Sequence, residues 1–318
     1  MRKMKIILWI GIALLFIGAL IFAISFALSG FHFQFLSNVK TVTRRFDETA
    51  DNPIQSIAIN FDNAEIEVRM QDDIDTLAIE YPQAQNKKGE NLSEIKVEET
   101  DGKISIVESY KWQAQLFSWN FTNPTVVLYL PAHRTYSLDL SSNNGEIRLT
   151  QGALNASTIS LHTNNGAITS KQTDIACAGD VKIETDNGAI TLGFIQANAL
   201  QAETNNGEIS LSGCSVSQTV ALESDNGAIV FTGELKANEF IAETDNGAIR
   251  GSGVIEANKI TLSTNLGNVS AKLAGKKSDY TITVEYDLGN TNVHSQTGGE
   301  KILSVGSDLG NIQIDFVE

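Results

Sequence analysis

The sequence predicts an all-β protein: a right-handed parallel β-solenoid (β-helix) of nine to ten coils, each of roughly 20 residues, preceded by one transmembrane helix. Three observations lead there. A short motif centred on glycine recurs nine times at nearly constant spacing, the residues ahead of each glycine alternate apolar and polar, and one uncharged run near the start is 23 residues long. The 318 residues are 42% apolar and 19% charged, enough hydrophobic material for a packed core, which excludes wholesale disorder. A net charge of −15 excludes nucleic acid as a partner, because phosphate recognition draws on clustered Lys and Arg.

Residues 1–5 form a basic tail and residues 6–28 the membrane helix. From Ile6 to Leu28 only Gly11, Gly18 and Ser25 interrupt the large apolar and alanine residues. A hydrocarbon core about 30 Å thick needs roughly 20 apolar residues at about 1.5 Å each, so the run is long enough to span. A cleaved signal peptide would carry an apolar region of about 7 to 15 residues and a clear A-x-A site, which this run does not match. Retention as an anchor is expected, with the lipid bilayer as its partner. Arg2, Lys3 and Lys5 favour a cytoplasmic tail, opposed in part by Lys40, Arg44 and Arg45 at the other end. The C-terminal part is then extracytoplasmic on a single-pass cell-membrane protein. All 38 acidic residues lie from Asp47 onward, against 17 basic ones. Residues 29–46 read as a stalk.

Residues 47–135 read as a degenerate first coil and a strand-rich cap. Ile57, Ile59, Phe61, Asp62 and Asn63 follow the repeat, with Ala64 at the glycine position and Ile66 and Val68 after it. Apolar stretches at 77–79, 95–97, 104–106 and 126–130 then lose the regular spacing. A solenoid must cover its open end against strand addition, and atypical terminal repeats do so.

Residues 136–318 hold the repeats. Their glycines are Gly145, Gly166, Gly188, Gly207, Gly227, Gly247, Gly267, Gly289 and Gly310, at spacings of 21, 22, 19, 20, 20, 20, 22 and 21. Seven and five residues before each glycine every copy is apolar, as in Val181 and Ile183 or Val220 and Leu222, with polar residues between. That is the period of a strand with one buried face. A second strand begins two residues after the glycine, at Ile147, Ile168, Ile190, Ile209 and their equivalents. A short third strand precedes the Ala-Asn pairs such as 197–198 and 257–258.

The corner between the first two strands is specified chemically. Asn or Asp stands two before the glycine in all nine copies, followed by Asn-Gly in six (Asn144, Asn165, Asn187, Asn206, Asn226, Asn246) and Leu-Gly in three. Glycine reaches positive φ without steric cost and Asn tolerates it, so a sharp structural turn is predicted. An antiparallel meander would use each Asn-Gly as a hairpin turn. A parallel stack instead rewards like residues at like positions, with Asn amides bonding up a ladder and Ile, Leu and Val filling a continuous core. Column identity favours the stack, coiled right-handed by the usual chirality of parallel connections. Where Leu266, Leu288 and Leu309 replace Asn, an Asn follows the glycine in all three copies, as expected of neighbouring coils.

The chemistry-bearing residues are sparse. Four scattered histidines and two cysteines without C-x-x-C spacing predict no metal site and no cofactor. Cys177 and Cys214 fall two coils apart, about 9.6 Å along the axis, beyond the roughly 4.4 to 6.8 Å that a disulfide spans, so free thiols are expected. Glu184, Glu203, Glu223 and Glu243 recur four before the glycine as an acidic column. A hydrated polar face is the expectation there, with calcium the alternative. Trp112, Phe117, Trp119 and Phe121 form an aromatic run that either plugs the solenoid end or stacks on a ligand such as a sugar. No catalytic residue is identified. Glycosidases do use paired carboxylates, but catalysis needs a singular constellation and these acids repeat monotonously.

A membrane span followed by many copies of [ST]-[ND]-[NL]-G-[AEN]-[IV] resembles the bacterial putative-adhesin family of membrane-anchored β-strand-repeat proteins, including the LiaG-like envelope proteins. The resemblance covers about residues 47–318 and implies a surface-facing β-solenoid with no catalytic residue to carry over. The expected function is non-enzymatic adhesion, scaffolding or partner binding at the cell envelope. A cell-wall glycan and another envelope protein stand as partner classes. An extracytoplasmic polysaccharide-active enzyme and an accessory to envelope-stress signalling are the alternatives.

Overall fold

A computed structural model describes residues 39–110, 124–150 and 152–318, with Leu15 and Gly18 as isolated positions. Apart from those two positions, the expected span at 6–28 lies outside the described residues, as do Trp112, Phe117, Trp119 and Phe121. Among the described residues no helix is long and apolar enough to cross a membrane. There are 26 strands among them.

The chain divides into two compact units. In the smaller, residues 83–93 form a hairpin closed by Asn86 and Glu90 around Gly89, whose φ of 83° suits glycine. Its Gln83 amide donates to the Ser93 carbonyl and hydroxyl. The larger unit comprises Thr43–Pro82, Ile95–Ser109 and Pro124–Glu318 and holds every repeat.

In the larger unit successive repeats pair in parallel, residue on residue. Val181, Lys182, Ile183, Glu184 and Thr185 lie opposite Leu200, Gln201, Ala202, Glu203 and Thr204, which in turn face Val220, Ala221, Leu222, Glu223 and Ser224. The inward residues of each strand are buried, so the apolar columns fuse into one core running through the stack. Packing within it is compensated between layers: Gly251 lies opposite Phe231, whose ring occupies the space that a Cβ at Gly251 would need. Along this direction the backbone repeats at about 4.8 Å.

The degenerate copy is the layer beside the first full repeat. Ser56–Phe61 pairs with Thr135–Ser142 on one side and Lys103–Tyr110 on the other, while Glu65–Gln71 lies between Ile147–Thr150 and Thr125–Pro131. Thr125–Pro131 also takes an antiparallel partner, with Ile79 opposite Leu128.

At the other end the layers are out of chain order. The strand Lys259–Leu266 pairs with Lys301–Leu309, and Lys301–Leu309 pairs with Tyr280–Leu288. The Gly310 repeat is thus inserted between the Gly267 and Gly289 repeats, and the Gly289 repeat is outermost. A sequential order does not hold here. All three copies carry Leu-Gly-Asn, so any order among them keeps the columns intact.

Where residues 43–48 meet the stack, a buried ion pair fastens them. The Glu48 side chain is 1% exposed and that of Arg134 18%. Arg134 donates to both Glu48 carboxylate oxygens, at 2.7 and 2.9 Å, and to the Ile54 carbonyl at 2.6 Å. Glu48 also accepts the backbone N–H groups of Ile54 and Leu77. Burial alone would raise the Glu48 pKa, but the hydrogen bonds from Arg134, Ile54 and Leu77 outweigh it and hold the carboxyl below its usual range. The same guanidinium lies 5.4 Å from the Tyr136 ring centroid, and burial pushes that phenol up to about 12.

Candidate functional site

The most ordered polar feature is the corner that carries the Asn-Gly motif. Each Asn amide donates to the side-chain oxygen of the Asn in the layer before it. The ladder runs from Asn63 through Asn144, Asn165, Asn187, Asn206 and Asn226 to Asn246, with every bond between 2.8 and 3.0 Å. It stops where Leu266 takes the position. From there the Asn side chain after the glycine accepts from backbone instead: Asn311 N–H donates to Asn268 Oδ1 at 2.7 Å and Asn290 N–H to Asn311 Oδ1 at 2.9 Å. These bonds follow the spatial order of the last three layers.

The glycines are required for a reason other than the one the sequence suggested. At Gly145, Gly166, Gly188, Gly207, Gly227, Gly247, Gly267 and Gly310 the backbone is not in the positive-φ region, and Gly289 alone among the nine, at 145°, is. What forbids a side chain is close approach: a Cβ on Gly207 would lie 1.9 Å from the Gly188 carbonyl oxygen, and its equivalents meet the preceding layer at 1.8 to 2.0 Å. Gly145 meets Ala64 in this way. Ala64 opens the column, with no repeat glycine before it for its own Cβ to strike.

A second ladder inside the corner escaped sequence reasoning. Three before the glycine stands Ser or Thr in eight copies, buried, and its hydroxyl donates to the carbonyl at the glycine position of the preceding layer, which is Ala64 for Ser142 and a glycine for the other seven. Thr163 to Gly145, Thr185 to Gly166 and Thr204 to Gly188 are each 2.9 Å. Ser307 reaches Gly267 at 2.8 Å, whereas the outermost copy has an exposed Tyr286 there. The regular [ST] in the motif was the available signal. Thr204→Val keeps the shape but leaves the Gly188 carbonyl without this donor, so a loss of about 1 to 3 kcal/mol is expected in urea unfolding.

The acidic column forms as expected, with Glu184, Glu203, Glu223 and Glu243 opposite one another in successive layers. Lys182 pairs with Glu184 at 2.6 Å, and His162 lies 3.7 Å from it in the adjoining layer. Among the described residues no group of three or more His, Cys, Asp or Glu could hold a metal. Beyond Glu243 the column is interrupted by Ser263 and Gly306 before Glu285 resumes it. The gap is an open cavity of about 200 Å³, lined also by Thr261, Thr283 and Ser304. Two layers lie between its two glutamates, so their backbones are three layer spacings, about 14 Å, apart.

Cys177 and Cys214 are free and buried. The register puts Cys214 opposite Ile195, and Cys177 in the column of Ala156, so the thiols occupy different columns. Burial raises both thiol pKa values, that of Cys214 to about 12.

No curated protein matches the chain. Among solved structures it is similar to putative adhesins from Bacteroides and Parabacteroides. With that of Bacteroides fragilis NCTC 9343 it shares 16% identity over 86% of this chain and 97% of the other, at a TM-score of 0.35. For Parabacteroides merdae ATCC 43184 the values are 13%, 88%, 97% and 0.44, and for Parabacteroides distasonis ATCC 8503 they are 11%, 87%, 97% and 0.38. The repeating corner falls within residues 54–314, and across those residues the chain matches, and belongs to, the Toastrack DUF4097 family.

Proposed function

We propose that this chain is a membrane-anchored β-solenoid scaffold that presents a regular polar surface outside the cell membrane and binds a partner there without chemical turnover. One observation supports this above the rest: the outward side chains repeat in register from layer to layer, as in the glutamate column, at about 4.8 Å. A surface with one spacing suits a partner that is itself repetitive or extended. Cell-wall glycan and an extended segment of another envelope protein both have that character. The glutamates recur layer after layer, whereas cleavage of a glycosidic bond needs a singular pair of carboxyls in different environments, which favours binding. The 23 uncharged residues from Ile6 to Leu28 support the anchor.

The full chain in detergent, applied to arrays of cell-wall glycans and to solubilised envelope extract, is expected to retain a partner with no change in the partner's mass. Release of shortened glycan would overturn the non-enzymatic reading. Protease added to intact cells is expected to digest the repeats, and full protection would overturn the extracytoplasmic placement.

A further inference from the structure

Between Glu184 and Glu285 the glutamate column breaks at one place. Two neighbouring layers carry Ser263 and Gly306 where the flanking layers carry Glu243 and Glu285, and the sheet face is notched there. Residues two positions earlier on a strand face the same way, and here they are Thr261, Ser304 and Thr283. The cavity thus has a carboxylate at each end along the column, hydroxyls along one flank, and no basic or aromatic residue in its lining.

Two observations point to an occupant. Among the described residues, none of the six polar side chains that line the cavity has a hydrogen-bond or ionic partner. A second cavity, of about 450 Å³, shows the opposite. There Lys236 pairs with Glu256 at 3.0 Å, Asn258 donates to Asn238 at 3.0 Å, and Lys301 donates to the Ala274 carbonyl at 3.3 Å, so its charged and amide groups are engaged within the fold. The other observation is what the glutamate face does where it holds its own cation. Lys182, two residues before Glu184, closes on that glutamate at 2.6 Å. The equivalent positions before Glu243 and Glu285 are Ile241 and Thr283, so neither carboxylate has the cation that Glu184 has.

We propose that this cavity is a docking site for a basic side chain, a lysine on an extended segment of another protein. The inference rests on the reading of the chain as a partner-binding scaffold and names the partner's chemistry. An ammonium group is donor only, which matches two ionised carboxylates and the lone pairs of the hydroxyls. Its flexible four-carbon stem reaches past the rim to a floor where Gly306 contributes no side chain. A sugar ring would find no aromatic face there to stack on.

The test reads position. The full chain in detergent is mixed with a short capped peptide holding one central lysine, then treated with a carbodiimide, which joins a carboxylate to an amine as an amide and itself takes up the water released. Coupling of methoxyamine, an uncharged nucleophile, to the same carboxylates corrects for their exposure. The corrected yield at Glu243 and Glu285 is expected to exceed that at Glu203 and Glu223 by about three- to fivefold, as for an exposed ion pair, and to fall with added salt. Filling the gap with a neutral side chain, by Gly306→Gln or by Ser263→Gln, is expected to abolish the excess. Equal corrected yields along the whole column would overturn the proposal, because the peptide would then follow net charge. So would displacement by glucosamine oligomers at lower concentration than by the peptide itself, which would assign the cavity to an amino sugar. Retention of the same envelope partner by wild type and by Gly306→Gln would leave the scaffold reading standing and remove this site from it.

Discussion

Gly207→Ala is expected to destabilise the repeats by about 3 kcal/mol or more, read as a lower urea midpoint, because one methyl group must displace backbone. Its Cβ would lie 1.9 Å from the Gly188 carbonyl oxygen, and neither neighbour is a flexible side chain that could yield. The contrasting variant is Gly306→Ala. There the nearest atom to a new Cβ is 3.6 Å away and the backbone φ is ordinary, so alanine is expected to be neutral or to stabilise by about 0.5 to 1 kcal/mol. Equal losses at both positions would mean that strand glycines matter here through something other than layer contact.

Arg134→Ala is expected to cost about 3 to 5 kcal/mol, since it leaves the Glu48 carboxylate buried with its principal partner gone. Wild-type stability should also depend on pH through this pair. The folded pKa of Glu48 is held below the ordinary glutamate value, so its contribution is fully present above that value and is lost as pH falls through the folded pKa. Urea unfolding followed from pH 7 down to pH 3 should therefore show a decline in the acid range that is smaller in Glu48→Gln. An identical acid decline in that variant would assign the pH dependence to other carboxylates.

The strand pattern, the corner and the parallel stacking were legible because each leaves a local mark: alternation for a half-buried strand, and column identity for equivalent positions that touch. Ile209 and Ile229, and Glu203 and Glu223, read as neighbours before any coordinates and are opposite one another. The reason for the glycines was not legible, since positive φ and close approach both demand the same residue. Nor was the insertion of the last repeat, because Leu266, Leu288 and Leu309 all stand in Leu-Gly-Asn, and that tripeptide permits any order. The Glu48–Arg134 pair spans 86 residues and belongs to no repeat, so nothing periodic announced it. The inner hydroxyls were visible in the motif, but a polar residue at a turn is usually assigned to the turn and not to the layer behind it.

All six links in the Asn ladder point the same way, with the amide hydrogens directed toward the Asn63 end and the carbonyl oxygens toward Asn246. The hydroxyls of Thr163, Thr185 and Thr204 point in that direction too. Aligned amides polarise one another, as the peptide groups of a helix do. Each corner therefore carries a directed electric moment, with electron-poor hydrogens gathered at its beginning and electron-rich oxygen at its far terminus. The two extremities of the ladder therefore differ in polarity, although the asparagines between them repeat without change.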